Sequence, residues 1–459
     1  MNANRCARRR AWCSMLVASG ALLFGGCDRP SAPPSSVILV SIDTLRADRL
    51  SLYGHVRATT PGLETLAAEA VVFESFIANG GGTLPSHLTM MTSLHPGVHG
   101  VSPHNGGTLA EGEQTIAERF RAAGFATAAF TDGGWMQGRF GFAQGFDLYD
   151  ASAGGFEAIL PRAIAWLTAN RDRQSFLFLH TYDVHSRSGE LPYQCPGQQH
   201  YRYVAPDSAE LDVWRGRRGA SRTLAAWNRE IRSGRADVDT FVTPSEVEAM
   251  KALYDGCIHY VDQRVHELVT YLRDAGQFDE TLLVITSDHG EELTEHGRFL
   301  HSRSGFEELA RIPLLIKLPS GASGGRRFPG LAAMVDLAPT VLELAGLGRT
   351  SRMQGRSLVA AIESGLEIRD ATHIQQSMVR SDSWKYFSDS GVLYDLRSDP
   401  GETTDVAPAQ PVQVESARRY LEGALRADRL AARDGPSSHL ELTLSDEETQ
   451  ALESLGYVQ

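Results

Sequence analysis

The sequence predicts an α/β domain built around a mainly parallel sheet, followed by a small antiparallel C-terminal subdomain. Two patterns carry that prediction. Five short runs rich in Val, Ile, Leu and Phe, at 36–43 (SVILVSID), 125–132, 175–185, 281–290 and 312–319, alternate with stretches of helical spacing at 60–70, 113–123, 156–170 and 245–275. Runs that are apolar throughout suit strands buried on both faces, the condition of parallel strands covered by helices. From residue 371 the pattern changes: THIQQSMVRSDSWKYFSDSGVLYDLRSDP alternates polar and apolar residues between turn formers, as a small antiparallel sheet does.

Taken in order, the elements divide the chain at about residue 370. The 245–275 stretch closes at Gly276 after apolar residues at helical spacing. Before it, residues 186–244 show no strand–helix alternation and mix aromatics with arginines, as expected of an irregular insertion that covers a site. The final LTLSDEETQALESLGYVQ reads as a Ser-capped helix with glutamates in its first turn. The main domain is thus expected over 37–370, and a C-terminal subdomain with a tail helix over 371–459.

With 459 residues and 42% hydrophobic content, the chain can bury one large core and a smaller unit. A net charge of -12, with no basic run beyond the N-terminus, argues against nucleic acid as a partner. At the N-terminus, Arg5 and Arg8 to Arg10 precede an apolar stretch at 11–24 and then Gly25-Gly26-Cys27. That is the layout of a secretory signal peptide over 1–27, too short for a comfortable membrane span, and its end resembles a bacterial lipobox. Residues 28–36 (DRPSAPPSS) form a proline-rich tether. The expectation is a protein lipid-anchored at Cys27 on the periplasmic or extracellular side of a bacterial cell envelope. Cys195 and Cys257 remain in the mature region, and an oxidising compartment permits their pairing without requiring it.

The residues with chemistry stand after the strands. Three runs end in Asp43, in Asp183 with His185, and in Asp288 with His289. In open α/β sheets ligands bind beyond the carboxyl ends of the strands, where these chain-distant groups could converge. Singly, an aspartate after a strand is commonly a turn or cap residue. Thr83 in GGTLPSH has a similar double reading. As an N-cap it places Leu84 and Pro85 in the first helical turn; as a site residue it sets a hydroxyl among unpaired N–H groups that attract an anion.

Together, VILVSIDTLRADRLSLYGH, TTPGLETLAAEAVVFESFIANGGGTLPSHLTMMTSLHPGVHGV, LHTYDVH, ITSDHGEELTEHG, FEELARIPLLIKLP and LYDLRSDPGETTDVA resemble, in order and over most of 37–405, the sulfatase family of the alkaline-phosphatase-like superfamily. The resemblance implies an α/β/α sandwich and one divalent metal ion bound by Asp43, Thr83, Asp288 and His289. Two carboxylates, an imidazole and a hydroxyl suit Zn²⁺ or Mn²⁺, whereas Ca²⁺ would want more oxygens. Thr83 stands where sulfatases carry the Cys or Ser that becomes formylglycine, His87 where they carry Arg, and Thr44 where they carry a second Asp. Threonine cannot yield that aldehyde, because its β-carbon already bears a methyl group. The pattern looks more like the superfamily's threonine enzymes, which form a phosphothreonine.

By the same resemblance, His185 and His301 are expected to protonate the leaving oxygen and bind phosphoryl oxygens. Arg303 would be a guanidinium for the anion. His87 is a substrate-binding or supporting candidate, and His95, His99 and His296 are supporting candidates. The implied function is metal-dependent hydrolysis of phosphate mono- or diesters through Thr83, on a small-molecule, glycan or lipid ester. Alternatives are a sulfatase without formylglycine, a phospho-headgroup transferase and a membrane-tethered binding protein without catalysis.

Overall fold

β1 (Ser36–Ile42) is buried at every position, and its residues alternate between two cores: Ile38, Val40 and Ile42 face one, Val37 and Leu39 the other. Apolar side chains on both faces put a strand in the middle layer of a sandwich. The computed structural model describes residues 33–459 except 103–106, 216–218, 302–303, 437–444, 447–448, 451, 453–454 and 456–459. The signal peptide with Cys27, the start of the tether, Arg303 and most of the expected tail helix lie outside the described residues.

Around β1 are β2 (Val71–Ile77), β3 (Ala126–Phe130), β4 (Leu148–Asp150), β5 (Ser175–Thr181) and β6 (Thr281–Thr286). A separate ribbon pairs β7 (Glu292–Leu293) with β8 (Phe299–Leu300). With β9 (Arg311–Lys317) and β10 (Arg326–Ala333) the main sheet has eight strands in the order β10-β2-β9-β6-β1-β5-β3-β4. Its pairings are parallel except those of β9, which runs antiparallel to both β2 and β6. The 312–319 run is therefore a strand as expected but not a parallel one. A run that is apolar on both faces carries no mark of its direction. Direction is set by the connection, and the described residues between β6 and β9 form only short elements and no long crossover helix.

Helices Pro61–Ala67, Ile116–Ala122, Gly155–Ala169 and Pro244–Asp274 occupy the stretches of helical spacing. Thr115 with Glu118, and Thr243 with Glu246, close capping boxes that fix two of the starts. The 186–244 insertion is more ordered than its sequence suggests. It contains helix Ala220–Arg232, and Leu211, Trp214, Leu224 and Trp227 enter the same core as Ile38. It lies close against the Pro244–Asp274 helix, where a Cβ on Gly256 would sit 2.5 Å from Gln199 O and 2.7 Å from His200 Cα. Cys195 and Cys257 are buried here without a disulfide, joined by a thiol–thiol hydrogen bond. Among the described residues, no helix is long and apolar enough to cross a membrane.

β11 (Ala371–Ile374), β12 (Met378–Ser381), β13 (Trp384–Phe387) and β14 (Leu393–Asp395) form the expected antiparallel sheet, in sequential order. Lys385, fully buried, locks this sheet to the segment after β8. Its Nζ lies 2.7 Å from Glu307 Oε1 and 2.9 Å from Glu402 Oε1, and donates to Gly305 O at 3.0 Å. A buried ammonium is tolerable only with such partners, and removing one costs about 3–5 kcal/mol. The clamp fixes where the 305–310 segment crosses the strand ends.

Candidate active site

β6, β1 and β5 lie side by side, with Ser41 of β1 opposite both Thr286 and His180. Their carboxyl ends therefore deliver Asp43 and the Ser287–His289 turn to one place. Thr44 follows Asp43 with φ 59, a left-handed conformation rare for a β-branched residue. Tyr254 holds it by donating to Thr44 O at 2.7 Å and accepting from Arg46 N at 3.1 Å. In that conformation Thr44 N donates to Asp288 Oδ1 at 3.2 Å, and His289 N donates to the same oxygen at 2.9 Å. Asp288 Oδ2 has no hydrogen-bond partner among the described residues and lies 3.3 Å from His289 Nε2.

The third part is the turn before helix Thr83–Thr92. Gly82, not Thr83, is the N-cap, and Thr83 is the first helical residue. Thr83 Oγ1 stands 3.4 Å from His289 Nε2 and hydrogen-bonds the Asp43 carboxyl. Because His289 Nδ1–H donates to Gly290 O at 2.8 Å, Nε2 carries its lone pair toward Thr83 and Asp288. Asp43, Asp288 and His289 each offer a donor atom within 4.8 Å of the others. Donors about 2.0–2.1 Å from a four-coordinate ion stand about 3.3–3.4 Å apart, so the spacing and chemistry of this set suit Zn²⁺ or Mn²⁺.

His180, in β5, is a neighbour that the sequence hides. Its Nε2 lies 3.4 Å from Asp43 Oδ2, and Asp43, His180 and His87 make a second group of close donors sharing Asp43. It was missed because a histidine inside SFLFLHT reads as a satisfied core residue. His87 also sits differently from a substrate-binding residue. It is fully buried, donates from Nδ1 to Thr83 O at 2.9 Å and pairs Nε2 with Ser41 Oγ at 2.9 Å. It supports the helix start from beneath.

Burial and the Asp288 charge push the Asp43 carboxyl well above the ordinary range. Burial would raise Asp288 too, but its surrounding imidazoles, His289 foremost, hold it below its usual value. Burial lowers His289, His87 and His180, keeping all three neutral at pH 7. Two facing carboxylates among neutral imidazoles need a positive charge, and a cation between Asp43 and Asp288 would supply it.

On the solvent side lie the other two histidines. His185 donates from Nδ1 to Ser186 O at 2.6 Å, and burial and His301 push its pKa well below 6.5. The His301 ring lies 5.0 Å from that of His185 and 4.7 Å from that of His289. His301 Nδ1–H donates to Glu291 Oε2 at 3.0 Å, and Tyr193 OH to Glu291 Oε1 at 2.9 Å. A narrow cleft passes over this group, lined by Gly81, His289, His301 and Gln375.

The sulfatase family model matches residues 35–347, which contain every residue of this cluster. The chain belongs to the sulfatase family. Arylsulfatase K of Bos taurus is 27% identical over 217 residues, 41% of this chain and 39% of that protein. The matched stretch thus spans well under half of that relative. The multifunctional alkaline phosphatase superfamily protein PehA of Trinickia caryophylli is 30% identical over 225 residues, 42% of this chain and 43% of that protein. In fold, the chain is similar to the phosphonate monoester hydrolase of Agrobacterium radiobacter, with TM-score 0.68 at 22% identity over 86% of this chain and 95% of that one.

Within this sulfatase-family chain, the structure brings together Asp43, Thr83, Asp288, His289, His185 and His301. Asp183 stands apart: its Oδ2 accepts from Phe156 N at 2.8 Å and Thr181 Oγ1 at 2.7 Å, so it holds the start of helix Gly155–Ala169. His296 is bound to Glu308 at 2.6 Å and stacked on Phe306, and the His95 ring lies 3.9 Å from that of His373. His99 packs beneath the Thr83 helix, 3.5 Å from Thr89 Oγ1. Glu291, which the sequence left unassigned beside Glu292, belongs to the cluster.

Proposed function

We propose that this protein is a metal-dependent hydrolase of phosphate mono- or diesters that works through a covalent phosphothreonine on Thr83. The observation that carries this reading is the Thr83 hydroxyl, beside the Asp43 carboxyl and 3.4 Å from the His289 Nε2 lone pair. A threonine there excludes the formylglycine route, and a hydroxyl can attack phosphorus directly. Asp43, Asp288 and His289 would hold a divalent cation, which would stabilise the negative charge on Thr83 Oγ1 and on the ester.

The Thr83 hydroxyl loses its proton to solvent and Oγ1 forms a bond to phosphorus as the bond to the leaving oxygen breaks. That oxygen takes the Nε2 proton of His301. Water then attacks the phosphothreonine, returns a proton to His301 and releases phosphate or its monoester, and Thr83 Oγ1 is reprotonated from solvent. The proton donor is assigned to His301 because the Glu291 carboxylate accepts from its Nδ1–H and orients the ring.

The likeness to PehA supports a phosphoester reading, and the likeness to arylsulfatase K supports a sulfuric ester as the rival. Parallel assays on 4-nitrophenyl phosphate, bis(4-nitrophenyl) phosphate and 4-nitrophenyl sulfate decide between them. Turnover of the phosphates that disappears in Thr83→Ala is expected; turnover of the sulfate alone overturns the reading. The N-terminal pattern supports a lipid anchor at Cys27 on the outer side of a bacterial membrane. Cys27→Ser should then move the protein out of the membrane fraction.

A further inference from the structure

The cleft lined by Gly81, His289 and His301 is bounded on one side by the turn between β11 and β12. Gln375 in that turn has φ 52, a left-handed conformation uncommon for a residue with a side chain. Its neighbours hold it there. Gln375 N donates to Asn79 O at 2.8 Å, and Asn79 Nδ2 donates to Thr372 Oγ1 at 3.0 Å and His373 O at 2.8 Å. Asn79 Oδ1 accepts from Val335 N at 3.0 Å, and Asn79 itself opens the glycine turn that ends at Thr83. One asparagine thus ties the nucleophile's turn to the C-terminal sheet.

The strained backbone lays the Gln375 amide over Gly81. A Cβ on Gly81 would overlap Gln375 Nε2 and lie 2.7 Å from its Cδ, so the amide occupies the space that a side chain at 81 would take. It borders the cleft beside His289 and His301, yet makes no hydrogen bond to any described residue. A half-buried amide held at a cleft wall by a left-handed backbone, with no partner among the described residues, is placed for a ligand. The nearby walls, Ile374, Leu309 and Ala310, are apolar, and no Lys or Arg is among the described lining residues.

We infer that Gln375 is a specificity-determining residue that hydrogen-bonds the retained substituent of a phosphate diester, and that this substituent is partly apolar. The inference rests on the phosphoester reading above. The amide can donate to an ether or carbonyl oxygen or accept from a hydroxyl.

The test uses bis(4-nitrophenyl) phosphate and 4-nitrophenyl phosphate, which share a leaving group, on the full-length protein and on Gln375→Ala, Gln375→Gly and Gly81→Ala. Loss of one neutral hydrogen bond is expected to raise KM for the diester about fivefold, and to lower the diester-to-monoester ratio of kcat/KM by at least about threefold. Gln375→Gly keeps the left-handed backbone without the amide, so it should match Gln375→Ala. Gly81→Ala displaces the amide and should lower the ratio likewise. A wild-type ratio in Gln375→Gly, or equal losses on both probes in every variant, overturns the assignment while leaving the phosphoester reading intact. No turnover of either probe by the unmodified protein overturns both.

Discussion

His301 Nδ1 lies 3.0 Å from Glu291 Oε2, and the other oxygen of that buried carboxylate accepts from Tyr193. The pairing fixes the orientation of the imidazole. Tyr193 comes from the 186–244 insertion, so that segment sets proton chemistry and does not only cover the site. His185 is held instead by Nδ1–H to Ser186 O, and burial lowers its pKa. His301→Ala should slow alkyl phosphates about a hundredfold, the usual scale of general acid catalysis, and 4-nitrophenyl esters much less. Steady-state kinetics over leaving groups of graded basicity checks this; a uniform loss removes His301 from the donor role.

Thr83→Ala should separate chemistry from folding. Because Gly82 is the cap, the variant loses no capping hydrogen bond, and its melting temperature should stay within a few degrees of the parent's. Its activity should fall by about a thousandfold or more, the scale for loss of a nucleophile. Acid quenching during turnover, followed by peptide mass spectrometry, should find phosphate on Thr83 in the unmodified protein. Full activity in the alanine variant would exclude the covalent mechanism.

Asp43, Thr83, Asp288 and His289 were legible because strand ends in an α/β sheet collect ligands and because ordered motifs marked them. His180 was not, since a single imidazole within an apolar strand looks the same from sequence whether it meets a core hydroxyl or a site carboxylate. Glu291 and Glu292 are adjacent and chemically alike, and only the turn after β6 decides which one reaches His301. Gln375 was invisible for a different reason: its place depends on how a sheet far along the chain docks on Asn79. The direction of β9 failed similarly, because connection geometry decides it and residue pattern does not.

Metal content tests the two donor groups that share Asp43. The group with Asp288 and His289 adjoins Thr83, whereas His87 in the other already has both ring nitrogens engaged. Elemental analysis should find one Zn or Mn per chain, lost in His289→Ala and kept in His180→Gln. Chelation should also lower stability, by about 3 kcal/mol when the ion had been present at a hundred times its dissociation constant. Loss of the ion in His180→Gln with retention in His289→Ala would move the site to the deeper group.

Acid should weaken the fold through His99, which ties the Thr83 helix to the segment after it. It is buried, its Nδ1 accepts from Val101 N at 3.2 Å, and burial lowers its pKa to about 4. In the unfolded chain the imidazole titrates near 6.5. Above pH 6.5 neither state binds the proton, and its contribution to stability is intact. Between 6.5 and 4 the unfolded chain binds a proton that the folded chain refuses, so stability falls with pH; below 4 both bind it and the loss levels off. At 1.36 kcal/mol per unit, the full loss is about 3 kcal/mol. Urea denaturation of metal-stripped protein from pH 7.5 to 4.5 should therefore show a shallower decline in His99→Gln than in the parent. Stripping the metal removes ion release from the comparison, and the other buried histidines titrate alike in both proteins. Parallel declines would show that the His99 site admits a proton in the folded state.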